Sequence, residues 1–447
     1  MTDRRWRWGL IALGVTARIA AVLVLQSHLV PNSTYEHGEI AANLLAGRGF
    51  SVHFLGAEGP TSQQAPLYPA LVALAYAIGG IATPRALLIL ELGQALIGGW
   101  LVAETIRLAR AVAPSRMSVA IAAGLIAAVH PTLVYAATHV QVALLAATLL
   151  MATLARSYEA RTVRDAFKVG LWLAALALTD PILALVAPGA IWALSASRLG
   201  GKAVAALGLA ALIGVAPWIV RNAFVHGEPV LIKSTFGYAF WQGNCRLSQG
   251  TDKVVRASVE RTLAREATSL SDLNTTLWAA RHEAGYLDDI ALTSDDYRIL
   301  AVVSEPERSR ILFRRALDDL KADPGRYPRL CLRRLRYFFL FDETNPKTRN
   351  RLYRVGHLGL TGLALLGLIL APREVRRRLG PTVLTVGLIA SFHALTIVSA
   401  RFHLPIEPLF AVWAGAGLAR WSAAVEPAGE VDGVGVVRGL RLRLGVG

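Results

Sequence analysis

Long apolar runs separated by short polar joints dominate the chain. The first, residues 9–30, follows Arg4, Arg5 and Arg7 and has the length of a bilayer-crossing helix, which needs about 20 apolar residues. Further runs occupy 87–108, 118–135 and 140–154, and two more end near Thr179 and Ser197. Runs at 203–220, 352–370 and 381–399, and one starting near Leu409, bring the expected number of transmembrane helices to about ten. Residues 67–81 are apolar but too short to cross, so they read as a re-entrant or juxtamembrane helix.

That choice decides the topology. With 67–81 kept at the surface, Arg107, Arg110 and Arg116, the joint 156–168, Arg198 with Lys202, and PREVRRRLG all fall on one side. Cytoplasmic joints collect Lys and Arg, so this side and both termini are expected to be cytoplasmic. Two polar stretches then face outward: a first loop at 31–86, and a long segment at 223–351. Leu263, Leu270, Leu273 and Leu277 recur at helical spacing in the second, which is therefore expected to be mainly helical. The expected organisation is a membrane module over 1–222, an outer segment over 223–351, closing helices over 352–422 and a basic cytoplasmic tail over 423–447. The fold class is all-α polytopic membrane protein.

Composition supports this pattern. The chain is 54% hydrophobic and only 17% charged, which excludes an ordinary soluble enzyme. Its net charge of +16 sits in short clusters between apolar runs, where it sets orientation, so no nucleic-acid partner is expected. Arg18 lies inside the first run and should face protein or snorkel, since a lipid-facing arginine is costly. Cys245 and Cys331 have no metal-ligand spacing, and whether they pair stays open. No DxD, Walker A, GxSxG or HExxH pattern occurs, so neither a metal nor another cofactor is expected. Asn32-Ser33-Thr34 and Asn274-Thr275-Thr276 match the N-glycosylation pattern, which recurs by chance.

Candidate chemistry concentrates in the first loop. Ser33-Thr34-Tyr35-Glu36 fits a capping box, with Ser33 as N-cap and Glu36 three residues on. Ile40 and Leu44 continue a short helix that ends at Gly47, with Glu36 and Glu39 on one side of it. Beside the capping reading stands a catalytic one: Glu36 takes the proton from an acceptor hydroxyl, its pKa raised by partial burial, with Glu39 as helper. His37 reads as a surface histidine, Asp180 as a turn residue, and Arg48 either as an anion contact or as part of a helix end. Gln63, Gln64 and Tyr68 are polar loop residues able to meet a sugar. Cations come from afar: Arg221 with Asn222 after one apolar run, Arg401 with His403 in the last outer turn, and His130 and His139 around the second. Arginines there either anchor the helix in the interface or bind a phosphate bidentately and help it leave.

The runs YEHGEIAANLLAGRGFS and GPTSQQAPLYPALVALAY resemble the first outer loop of bacterial GT-C glycosyltransferases, the group including protein O-mannosyltransferases and often labelled glycosyltransferase family 39. PWIVRNAFVHGEPVLIKSTFGYAFWQGN and RFHLPIEPLFAVWAGAGLAR are similar to later motifs of that group. The resemblance implies a GT-C-like fold in the bacterial inner membrane and a polyprenyl-phosphate-linked sugar as donor. It also implies transfer at the outer face to a lipid, glycan or protein acceptor. Glu36 matches the family's acidic base, although many members carry Asp or an Asp-Glu pair where this chain has Tyr35-Glu36. Arg221 and Arg401 match basic positions expected to hold the donor phosphate, with Asn222, His403 and His139 beside them. A transporter or lipid flippase is the other reading, although the paired repeats common in transporters are missing. An inactive scaffold of the same fold is a third.

Overall fold

The computed structural model describes residues 2–30, 33–195, 199–252, 292–345, 348 and 350–420. Helix α1 (Thr2–Leu25) leads through a short turn into α2 (Tyr35–Leu45), the strands β1 (Ser51–Phe54) and β2 (Ala57–Pro60), and α3 (Leu67–Gly79). Next come α4 (Pro84–Val112), α5 (Met117–Val129), α6 (Pro131–Tyr135), α7 (Ala143–Glu159) and α8 (Val163–Ala177). A 3-10 turn (Pro181–Val186) precedes α9 (Ala187–Ser195) and α10 (Gly200–His226). The second polar stretch contributes α11 (Phe236–Asn244), α12 (Ser294–Ala301), α13 (Glu305–Ala322) and α14 (Arg326–Phe339). The chain closes with α15 (Arg351–Leu370), α16 (Arg373–Leu395) and α17 (Glu407–Gly417).

This is a polytopic helical membrane protein. Among the described residues, five helices are long and apolar enough to cross a bilayer: α1, α4, α10, α15 and α16. They match the runs expected at 9–30, 87–108, 203–220, 352–370 and 381–399. The other five expected crossings fall on shorter helices, namely α5 with α6, α7, α8, α9 and α17. α5 has 13 residues and rises only about 20 Å, against roughly 30 Å of hydrocarbon. α3 is equally short and packs on α2 and α4. The helical spacing expected at Leu263–Leu277, together with Asn32, Asn274, Ser197, Arg198 and the tail at 423–447, lies outside the described residues.

Small side chains bring the helices together. α5 presents Ala120, Ala123 and Ala127 to a core shared with α4, α7 and α17, each fully buried. In a membrane such residues let backbones approach closely, where packing rather than water exclusion holds helices together. Arg18 of α1 is buried in the same region. It donates to the carbonyls of Gly14 (2.9 Å), Ala128 (3.1 Å) and Ala127 (3.1 Å). The last two belong to the final turn of α5, whose carbonyls have no partner within the helix. The arginine thus faces protein and caps α5. Gly98 of α4 makes the space, since a Cβ there would lie 2.1 Å from Arg18 Nε.

The β1–β2 hairpin departs from the all-α expectation. Phe54 pairs with Ala57, and the two turn residues Leu55 (φ 50°) and Gly56 (φ 85°) both have positive φ, as a type I′ turn requires. Gly56 lies against the Tyr297 carbonyl, 2.7 Å from where a Cβ would stand. Phe50, Phe54 and Leu55 bury against Phe240, Trp241, Leu300 and Leu312, which locks the first loop to the second polar stretch. Cys245 is buried, Cys331 is half-buried, and both are free thiols, so the disulfide left open by the sequence is not formed.

Candidate active site

The first loop meets the second polar stretch through side chains. At the start of α2 the N-cap is Thr34, without a side-chain cap, so the expected capping box on Ser33 is not formed. Glu36 turns instead to Gln64, whose Nε2 donates to Oε1 at 2.7 Å. The other end of the same amide accepts from Lys233 Nζ at 2.9 Å. Gln64 therefore links an acid on α2 to a cation just ahead of α11. Asp180 caps the 3-10 turn after α8, accepting from the Ile182 N–H at 3.2 Å. Arg401, in the turn before α17, acts electrostatically on both carboxylates and on Lys233.

Burial and charge compete at each of these groups. Burial opposes ionisation of Glu36, but His37, the residue's own N–H, Arg401 and Lys233 outweigh it and hold the carboxyl below its ordinary value. That reverses the expected upward shift: the neighbouring groups and the backbone N–H outweigh the apolar surroundings. Asp180 goes the other way, because burial outweighs Lys233, the Ile182 N–H and Arg401. Lys233 is pulled below its ordinary value by burial, against the stabilising pull of Asp180 and Glu36. His37 is buried rather than at the surface, edge-on to Tyr68 with ring centroids 4.9 Å apart. Burial pushes it down to about 4, so it is neutral near pH 7. The cluster sets a carboxyl held below its ordinary value beside Lys233 and Arg401, a pairing suited to accepting a proton beside a bound anion.

The remaining expected site residues do other work. Glu39 accepts from the His53 backbone N–H at 2.6 Å and so fastens β1 to α2. Arg221 donates to the carbonyls of Thr61 (2.6 Å) and Phe50 (3.0 Å), and its guanidinium lies 4.8 Å from the Trp218 ring centre. Asn222 donates to the carbonyls of Val230 and Ile232, both at 3.3 Å, and shapes the turn after α10. Arg48 bonds Asn43 Oδ1 at 2.9 Å, within the loop rather than toward open space. His139 supplies its carbonyl to Gln94 (3.1 Å), which also accepts from the Tyr68 hydroxyl at 2.7 Å. His403 is buried in a separate histidine cluster with Glu407. Of the expected residues, the structure brings together Glu36, Gln64 and Arg401.

Two members were not singled out by sequence reasoning as site residues. Lys233 is one lysine in an unremarkable LIKST run, and Asp180-Pro181 reads as an ordinary turn. Glu305 was also missed. It is buried at the start of α13, accepting from Thr61 Oγ1 (2.6 Å), the Ser62 N–H (2.8 Å) and the Ser234 hydroxyl. These bonds hold residues 61 and 62, and with them Gln64, beside Lys233. An S/T-rich tract on each side of the joint was the available signal.

Fold and site together define a polytopic membrane protein that gathers acidic and basic groups from both polar stretches and from the turns that carry Asp180 and Arg401. No family model matches the chain, and no curated protein matches its sequence. Among solved structures it is similar to ArnT from Cupriavidus metallidurans bound to undecaprenyl phosphate. The identity is 15%, covering 93% of this chain and 78% of that one, with a TM-score of 0.41. It is also similar to the Archaeoglobus fulgidus oligosaccharyltransferase in complex with Zn and sulfate, at 15% identity and a TM-score of 0.48. That match covers 92% of this chain and 48% of the other, so the chain spans about half the length of that enzyme. At such scores the likeness lies in the course of the chain and says nothing of substrate.

Proposed function

We propose that the chain is a membrane glycosyltransferase of the GT-C type, moving a sugar from a polyprenyl-phosphate donor to a hydroxyl acceptor at the outer face of the bacterial inner membrane. The observation that carries this reading is the Glu36–Gln64–Lys233 chain with Arg401 acting on it. Glu36 takes the acceptor proton as the acceptor oxygen bonds to the anomeric carbon. The bond from that carbon to the phosphate oxygen breaks, and polyprenyl phosphate leaves with the electron pair. Lys233 and Arg401 hold the phosphate and offset the charge gained by its leaving oxygen. Gln64 fixes the distance between base and cation, and Arg221, Asn222 and Glu305 brace the loop that carries it. Displacement on one face inverts the anomeric centre.

The test is a vesicle assay with a donor labelled in both sugar and lipid. Transfer gives a labelled glycoside and free polyprenyl phosphate. A flippase instead exchanges intact donor across the membrane and leaves the sugar–phosphate bond unbroken; that outcome rejects the proposal.

A further inference from the structure

A second polar cluster is buried where α6, α15 and α17 meet, and the transfer chemistry above does not use it. Glu407, at the start of α17, is fully buried. One of its oxygens, Oε1, lies 3.1 Å from His357 Nδ1 and 3.2 Å from His403 Nδ1. The other, Oε2, lies 3.6 Å from His130 Nδ1 and accepts from the Thr132 hydroxyl. The three histidines come from three distant parts of the chain, and all are buried.

The far nitrogens settle where the ring protons go. His357 Nε2 is 3.2 Å from the Phe339 carbonyl, and His130 Nε2 is 3.2 Å from the Gly356 carbonyl. A carbonyl can only accept, so both Nε2 atoms carry hydrogen. His130 Nδ1 lies 2.8 Å from Thr132 Oγ1, whose one hydrogen goes to Glu407 Oε2, so this ring is tied to the threonine. His403 Nε2 meets the Tyr353 hydroxyl at 2.7 Å, which also leaves Nδ1 as its inward atom. That Nδ1 is buried and, although 3.2 Å from Glu407 Oε1, makes no aligned hydrogen bond. His357 and His403 thus both direct Nδ1 at one carboxylate oxygen in a fully buried site.

We propose that His357, His403 and Glu407 bind a zinc ion. Their ligand atoms lie within 4.8 Å of one another. Tetrahedral zinc with bonds of about 2.0–2.1 Å sets its ligand atoms about 3.3 Å apart, close to the 3.1 and 3.2 Å found here. The Phe339 carbonyl and the Tyr353 hydroxyl supply the outer hydrogen bonds that fix a metal-binding imidazole in its tautomer. The ion joins α15 and α17 to the turn that carries Arg401, so its role is structural: it anchors the phosphate-binding arginine from behind. The only local signal is the four-residue spacing of His403 and Glu407, which places both on one side of a helical turn.

The test uses full-length protein in detergent, purified with a tag that contains no histidine, equilibrated with zinc chloride and desalted. It should retain about one zinc per chain, with only nitrogen and oxygen neighbours at about 2.0–2.1 Å by X-ray absorption. A strong chelator should lower Tm, and added zinc should restore it. The double variant His357→Asn/His403→Asn should lose the zinc, while the exposed control His53→Asn keeps it. Zinc-free wild type after desalting, sulfur in the first shell, or a double variant that holds as much zinc as wild type would each overturn the assignment. If the double variant does not fold, the metal content and spectrum of the wild type decide. Because these readouts do not involve sugar transfer, the zinc site and the proposed activity can fail separately.

Discussion

Replacing Glu36 by glutamine lowers sugar transfer about a hundred- to ten-thousand-fold, the usual worth of a positioned general base, and leaves membrane insertion and Tm close to wild type. Glutamine has nearly the same shape and keeps an oxygen to accept from Gln64 Nε2, so the link to Lys233 survives while the proton acceptor is lost. The pH profile should carry the same mark. Glu36 is held below the ordinary carboxyl value of 4.5, so kcat/KM should stay level as pH falls to that value and decline only below it. A variant that transfers sugar at the wild-type rate would remove Glu36 from the chemistry.

Arg401→Ala and Lys233→Met should each weaken the donor interaction. A charge-assisted hydrogen bond to phosphate contributes about 1.5–3 kcal/mol, or roughly ten- to a hundred-fold in the KM for donor. Arg401 is exposed, and its guanidinium lies over the ring of its own neighbour Phe402, so its removal should change KM with little effect on Tm. Lys233 adds a dependence on pH. Burial lowers its pKa from the ordinary 10.5, so its charge, and with it donor affinity, is lost as pH rises through that lowered value. Lys233→Arg keeps the charge and should move this alkaline fall upward. The measurement is donor KM as pH is raised toward 10.5 for the wild type and both lysine variants. Unchanged KM in Arg401→Ala and Lys233→Met would place the phosphate elsewhere.

The membrane architecture was legible where a run was long and apolar, as in α4 or α10, because the bilayer leaves a lone span little choice but a helix. Shorter runs carried the same composition but fold into helices such as α5 and α7, whose ends are satisfied inside the protein, as Arg18 does for α5. The hairpin was hard to see because its turn is Leu-Gly rather than Asn-Gly, and Leu55 tolerates its positive φ by burying its side chain. At the site, Glu36 stood out by its place at the head of a polar loop. Its electrostatics did not, since Lys233 and Asp180 are ordinary in their own sequence surroundings and act only once folding brings them near. Arg221 shows the converse. Its place at the end of an apolar run suits a phosphate ligand, yet the Phe50 and Thr61 carbonyls take its donors. Those carbonyls flank the hairpin, which the pattern had not shown.

The position of the donor phosphate decides these roles, and a structure of the protein with polyprenyl phosphate tests it most directly. The phosphate should lie about 3 Å from Lys233 Nζ and the Arg401 guanidinium, with Glu36 on the side open to an acceptor. A phosphate seated instead among Arg110, Arg161, Arg377 and Arg378, which line a cavity of about 520 Å³, would contradict it.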